Sequence, residues 1–198
     1  MTKGSIHSEW QITDPPIARW LFSDTRLAWI WIPVRFYVAY VWLTSGWGKL
    51  NNPAWMQTGE ALKGFWLNAL KIDPRPVIYF DWYRQFIQFL VDNQAWVWFA
   101  KIIAVGEVLI GIALVLGAFT GIAAFFGAFM NWNFMMAGTA SSNPLLFTLT
   151  ILLILAWKVA GYYGVDRFLL PAVGTPWRPG LILTSKSGER IPEPAVST

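Results

Sequence analysis

Four stretches of the chain are apolar almost without interruption, and more polar segments separate them. The first, "RLAWIWIPVRFYVAYVWLTSGWGKL", follows a helix-start signal, "SDT", at Ser23–Thr25. The second reads "AWVWFAKIIAVGEVLIGIALVLG", and the third, "AFTGIAAFFGAFMNWNFMMAG", follows almost at once. The fourth, "PLLFTLTILLILAWKVAGYYG", is opened by Asn143 as an N-cap and Pro144 at the first helical position. A helix of ~20 residues crosses the hydrocarbon core of a bilayer. Spans are therefore expected over about 27–49, 95–116, 118–137 and 144–164.

The connection from Asn51 to Asn93 is too aromatic for a free loop. It predicts two short amphipathic helices, over about 56–71 and 77–92, with Ile78, Trp82, Phe86 and Phe89 on one face of the second. Each is too short and too charged to span, so both are expected to lie in the interface and cap the spans. Residues 1–23 carry Glu9, Asp14, Pro15, Pro16 and Arg19 and lack the apolar core of a cleaved signal peptide. Trp10, Ile17, Trp20, Leu21 and Phe22 predict a segment on the membrane surface. From Asp166 the chain turns polar and Pro-rich, which predicts a flexible tail over 166–198 behind a single membrane domain over 1–165. The expected fold is all-α: an integral membrane four-helix bundle with short amphipathic interfacial helices between the first two spans.

An even number of spans puts both tails on one side. That side holds Lys3, Arg19, Arg26, Arg167, Arg178, Lys186 and Arg190. On the other side Lys49, Lys63, Lys71, Arg75 and Arg84 are balanced by Glu60, Asp73, Asp81 and Asp92. The bias predicts a multi-pass protein with both termini cytoplasmic.

Composition sharpens this picture. Only 13% of the 198 residues are charged and 56% are hydrophobic, with a mean hydropathy of +0.44. A soluble domain carries about 25% charge, so lipid is the expected solvent and the first partner. Cysteine is absent, which excludes disulfides, a thiolate nucleophile, Fe–S ligation by cysteine and a CxxC redox pair. The single histidine, His7, lies in the polar N-terminal segment. Neither a bis-His haem inside the membrane nor a metal site is expected. Electron transfer would then run through a bound organic carrier, such as a quinone, or a partner protein. The net charge of +4 comes from scattered basic residues, which argues against nucleic acid.

Ionisable groups inside a span are costly and usually face the interior. Arg35, Lys101, Glu107 and Lys158 are the candidates. Arg35 should lie ~12 Å from the inner end of the first span and Glu107 ~18 Å below the outer surface, by helical rise. In a ~30 Å core these depths coincide, so the two are expected to form an ion pair, either as catalytic charges or as a clasp between helices. Lys101 and Lys158 lie near span ends, where snorkelling explains them. Arg35, Ala39, Trp42, Gly46 and Lys49 recur at helical spacing, as do Ala100, Ala104, Glu107 and Gly111. Gly117, Gly121, Ala124, Gly127, Asn131, Met135 and Gly138 make a third stripe. Such small residues let membrane helices approach closely.

Asn131 shares that stripe and should point inward, whereas Asn133, about 200° further round, must look elsewhere. With Lys49 and Trp47 at the end of the first span, these amides are candidates to hold a quinone carbonyl head or a small anion. Hydrogen bonding between helices is the equal alternative.

"GWGKL", "GEVLIGIALVLGAFTG", "NWNFMMAGTASSNP" and "ILAWKVAGYYGVDRFLLP" together resemble the DoxX family of small bacterial and archaeal membrane proteins, over about Arg26 to Pro179. The resemblance implies a four-helix membrane bundle in a prokaryotic plasma membrane. Related DoxD proteins are named as the membrane subunit of thiosulfate:quinone oxidoreductase, and other members are linked to oxidative stress and sulfur metabolism. Gly46, Lys49, Glu107, Asn131 and Asn133 match the family's polar positions by resemblance. The connection after the first span is longer than in the shortest members.

Three functions follow as expectations. The first is a quinone-linked redox subunit, oxidising thiosulfate or a related sulfur compound. In it Asn131, Asn133, Lys49 and Trp47 bind the quinone, Glu107 relays a proton, and Arg35 holds Glu107 ionised. The second is a non-catalytic scaffold that tethers a soluble redox or sulfur-transfer enzyme through its tails. The third is a small transporter, which would have to be a homo-oligomer because four spans make a thin pore.

Overall fold

In the computed structural model, which describes residues 14–173, the chain is helical and the described residues contain no strand. Helix α1 (Pro16–Ser23) is followed by a 3-10 turn over Thr25–Ile30 that runs into α2 (Trp31–Leu50). The start signal works as expected, since Asp24 Oδ1 accepts from the Arg26 backbone N–H at 2.9 Å. Helices α3 (Pro53–Met56), α4 (Glu60–Ala69) and α5 (Asp81–Asp92) form the connection. Then come α6 (Trp96–Leu116), α7 (Thr120–Met136), α8 (Asn143–Leu155) and α9 (Asp166–Val173). Two segments, Thr25–Leu50 and Trp96–Leu116, are long and apolar enough to cross a membrane.

Local chemistry sets the ends. Asn52 Oδ1 accepts from Ala54 N at 2.9 Å and Pro53 opens α3. Gly117 ends α6 at φ +63°, where an L side chain is strained, and Ala118 N reaches back to Ala113 O at 2.9 Å. The start of α8 falls one residue earlier than expected. Asn143 is already helical, and its Nδ2 donates to Thr139 O at 3.0 Å rather than capping.

Two glycines draw α2 onto α6. A β-carbon on Gly46 would stand 2.7 Å from Val108 Cγ2, and one on Gly111 would stand 2.8 Å from Leu43 Cδ2. Such close approach brings whole backbones into contact. Gly121 plays the same part between α7 and Trp157, just past α8. One apolar core joins these helices through Val38, Trp42, Leu114, Ala124 and Leu153. A second core, at the end where α2 stops, joins α4 and α5 to the first turns of α6 through Leu62, Trp66, Ile87 and Ala100. This cap end is opposite the tight turn that links α6 to α7.

Two expectations are corrected. The fourth apolar stretch is helical only to Leu155, and residues 156–165 form successive turns. Asp166, expected to begin a polar tail, is buried and starts α9; residues 174–198 lie outside the described residues. In α5 the inward face is Tyr83, Ile87 and Leu90, while Trp82, Phe86 and Phe89 are exposed. The helix has two apolar faces, and hydropathy alone does not say which one meets protein.

Candidate functional site

Glu107 sits in the middle of α6 with none of its surface exposed. Its Oε2 receives a bond from Lys49 Nζ at 2.6 Å, and Lys49 also donates to Ser45 Oγ at 2.7 Å. The centroid of the Trp55 ring lies 5.1 Å from the ammonium. Lys49 keeps a partly exposed side chain at the cap end, so the pair joins the rim of the molecule to its centre. Glu107 Oε1 has no hydrogen-bond partner.

Among the described residues, four more share that condition: Arg35 through Nε and Thr120 through Oγ1, both toward the turn between α6 and α7, and Asn131 and Trp42 nearer Glu107. Asn131 on α7 is fully buried, and neither Nδ2 nor Oδ1 is hydrogen-bonded. Trp42 on α2 is buried with its Nε1–H unpaired. The glycine contacts fix their register. A β-carbon on Gly127 would stand 3.2 Å from Trp42 Nε1, and Asn131 lies one turn further along α7. A β-carbon on Gly46, one turn beyond Trp42, would stand 2.9 Å from Glu107 Cβ. Glu107 and Asn131 therefore occupy the same level, one turn toward the cap end from Trp42. Buried polar atoms are normally satisfied, and each orphan costs about 1–3 kcal/mol. Within these two turns, two acceptors, Glu107 Oε1 and Asn131 Oδ1, and two donors, Trp42 Nε1 and Asn131 Nδ2, are unspent.

The expected pairing of Arg35 with Glu107 does not occur. Arg35 Nη1 donates to Ala160 O at 3.1 Å and Nη2 to Tyr163 O at 3.4 Å, both in the turns after α8. The error lay in depth. The start of α6 is embedded in the cap, where Gly59 packs against the backbone of Trp96. This sets Glu107 level with Gly46, eleven residues or ~16 Å along α2 from Arg35. Arg35 belongs to a separate cluster at the turn end. There Asp166 Oδ1 and Oδ2 accept from the Phe119 and Thr120 backbone N–H groups at 2.6 and 2.9 Å, capping α7. Val165 N donates to Leu116 O at 3.0 Å and Asp166 N to Gly117 O at 2.7 Å.

Asn133 looks away from the site, as its helical position required. Its backbone O and Oδ1 accept from Tyr83 Oη at 3.0 and 3.2 Å, and its Nδ2 donates to Phe129 O at 2.8 Å. Burial pushes the Tyr83 phenol up to about 12. Trp47 is 66% exposed and lies outside the cluster. Two cavities, of about 450 and 320 Å³, lie elsewhere: one along α1 and the 3-10 turn, the other between α7, Trp157 and α9. Sequence reasoning passed over Trp42, Ser45, Tyr83 and Asp166 as site or positioning residues. Only Trp42 left a usable signal, because it shares a stripe with Gly46 and Lys49.

Over its described residues the chain is all-helical, with two apolar helices long enough to span a membrane and a buried ion pair between them. It belongs to the DoxX family, whose model matches residues 30–140. That range takes in α2 to α7 and every residue of the Lys49–Glu107–Asn131 cluster. No curated protein and no solved structure matches the chain.

Proposed function

We propose that this DoxX-type membrane protein is the quinone-interacting subunit of a membrane redox system. In this reading α2, α6, α7 and the α8 region form a four-helix bundle across a prokaryotic plasma membrane. Helices α4 and α5 lie in the outer interface, and both termini are cytoplasmic. The observation that carries the reading is the coincidence of unspent donors and acceptors around a buried ion pair. Trp42 Nε1 and Asn131 Nδ2 suit a carbonyl oxygen, and Glu107 Oε1 and Asn131 Oδ1 suit a hydroxyl. A quinone head, an acceptor when oxidised and a donor when reduced, would suit both sets.

A quinone bound there supplies the two-electron acceptor that the chain lacks. The protein's own part is to orient the head and to handle protons. Lys49, partly exposed and hydrogen-bonded to Glu107, connects the cap-end surface to a carboxylate whose second oxygen is free to take up or release a proton. Arg35 is remote from that carboxylate and has no part in it; Lys49 is its partner. The DoxD resemblance makes thiosulfate, or another reduced sulfur compound, the electron donor to try first, presented directly or by a soluble partner enzyme.

The test is the quinone content of protein purified in mild detergent, measured per chain against an unrelated membrane protein prepared in parallel. Near-stoichiometric quinone is expected, and Asn131→Leu should lose it while unfolding no more easily than the wild type. That last point separates a ligand site from helix glue, because a leucine that fills the same space removes only an unpaired amide. Background quinone in the wild type would instead favour a non-catalytic scaffold that stabilises or tethers redox enzymes.

A further inference from the structure

Helix α1 is held by part of its apolar surface and exposes the rest. Leu21 and Phe22 pack against the main apolar core. Phe22 stacks on the buried Trp31 with ring centroids 5.7 Å apart, and Trp31 Nε1 donates to Leu21 O at 3.1 Å. These contacts fix α1 to the start of α2. Ile17 and Trp20, three residues apart on one face, remain 77% and 53% exposed, and Trp29 in the 3-10 turn is exposed as well. Exposed indole rings at the end of a span suit the boundary between lipid and water.

The cleft of about 450 Å³ lies between α1 and the 3-10 turn, and Arg19, Trp20, Ser23, Asp24, Thr25 and Arg26 line it. Its hydrogen-bonding capacity is one-sided. Asp24 brings the carboxylate of this lining, and both oxygens are taken. Oδ1 accepts from the Arg26 backbone N–H and Nε at 2.9 and 3.1 Å, and Oδ2 accepts from Arg26 Nε and Nη2 at 3.0 and 2.6 Å. The Arg19 guanidinium and the hydroxyls of Ser23 and Thr25 make no hydrogen bond or ion pair with any described residue, and Arg26 Nη1 is also spare. Two arginines against one aspartate leave the lining with an excess of positive charge.

We infer that this cleft binds the head group of an anionic phospholipid. The inference rests on the bilayer placement proposed above and is independent of the quinone reading. A phosphodiester offers acceptors only, so the spare donors suit it, and the planar guanidinium of Arg19 matches two of its oxygens. A choline or ethanolamine head brings a cation as well, and the cleft holds no free carboxylate to receive one. The positive excess therefore selects a lipid such as phosphatidylglycerol, whose head carries no ammonium. Ile17 and Trp20 enter the interface beside the cleft and set it at the depth of the lipid phosphates. On the proposed orientation this is the cytoplasmic leaflet.

The full chain is first floated with vesicles of phosphatidylglycerol and phosphatidylcholine; a chain that stays behind overturns the bilayer placement itself. Lipid binding to the detergent-solubilised full chain is then counted by native mass spectrometry. The first phosphatidylglycerol should bind about tenfold more tightly than the first phosphatidylcholine, the worth of one charge-assisted hydrogen bond. Arg19→Gln should remove that preference. Arg167→Gln, which takes the same charge from α9 outside the cleft, should leave it within about twofold. Both arginines are exposed, so neither variant disturbs a core. Equal losses in the two variants would assign the preference to diffuse surface charge and overturn the cleft, as would equal binding of the two lipids by the wild type. Glycerol 3-phosphate, which has the phosphate without the tails, should not displace the lipid when present at the lipid's own concentration. Displacement would assign the cleft to a soluble phosphate and overturn the lipid.

Discussion

Lys49 Nζ stands 2.6 Å from Glu107 Oε2 and joins the last turn of α2 to the middle of α6. The two helices are already in contact through Gly46 and Gly111, so the ion pair acts within a close-packed seam. The carboxylate is wholly buried and the ammonium is partly exposed, which makes their removal unequal. Lys49→Met leaves a buried carboxylate without its partner and should cost about 3–5 kcal/mol. Combining it with Glu107→Leu should recover most of the loss. Denaturant unfolding in detergent of the two single variants and the double variant closes the cycle, and strict additivity would contradict the pairing.

Trp42 and Trp47 lie five residues apart on α2 and have opposite expectations. Trp42→Phe deletes an unpaired buried N–H and should weaken quinone binding about tenfold, the worth of one hydrogen bond. Trp47→Leu alters an outward side chain and should leave binding within twofold or so on the same scale. Titration of quinone into delipidated protein measures both. An effect of Trp47 equal to that of Trp42 would return the site to the helix surface.

Glycine replacements should divide by location. Gly46→Ala forces a methyl to within 2.9 Å of the Val108 backbone nitrogen and should destabilise by about 1–3 kcal/mol. Gly64→Ala, in α4 with nothing within 4 Å of its β-carbon, should stabilise by about 0.5–1 kcal/mol through helix propensity. Thermal unfolding of the two single variants tests the assignment.

Asp166 caps α7 from a distant part of the chain with both carboxylate oxygens. Asp166→Ala should therefore destabilise by about 2 kcal/mol, and Asp166→Asn, which keeps one acceptor, by less. Faster hydrogen exchange at Phe119 and Thr120 in the alanine variant would confirm that the loss is local to the cap.

The Tyr83 phenol, at about 12 in the folded protein, gives a pH signature. An unfolded tyrosine ionises near 10. Between those values the unfolded chain has released a proton that the folded chain retains, so stability is full below about pH 10 and falls as pH rises toward 12. The difference in phenolate absorbance between the wild type and Tyr83→Phe should rise near pH 12. A rise near pH 10 would mean that Tyr83 is not held against Asn133 in the folded protein.

Much of the helical frame was legible because lipid is a uniform solvent and imposes a simple pattern. The first two apolar stretches became α2 and α6 almost at their expected ends. The small-residue stripe placed Asn131 inward, and helical geometry sent Asn133 elsewhere. The partner of Asn133 was not legible, because Tyr83 is fifty residues away in a connection whose helices present apolar side chains on more than one face. Asp166 looked like the start of a tail because the N–H groups it caps, those of Phe119 and Thr120, stand at the start of a different helix.

What the sequence by itself determined was the solvent, the helices and the face of each that carries small residues. These follow from hydropathy and from 3.6 residues per turn, which are properties of one segment at a time. Which charge meets which was decided only in three dimensions. Relative depth depends on how far each helix continues past its neighbour, and α6 continues into the cap formed by α3 and α4. That offset moved Glu107 away from Arg35 and onto Lys49, and it set Glu107 level with Asn131, one turn from Trp42.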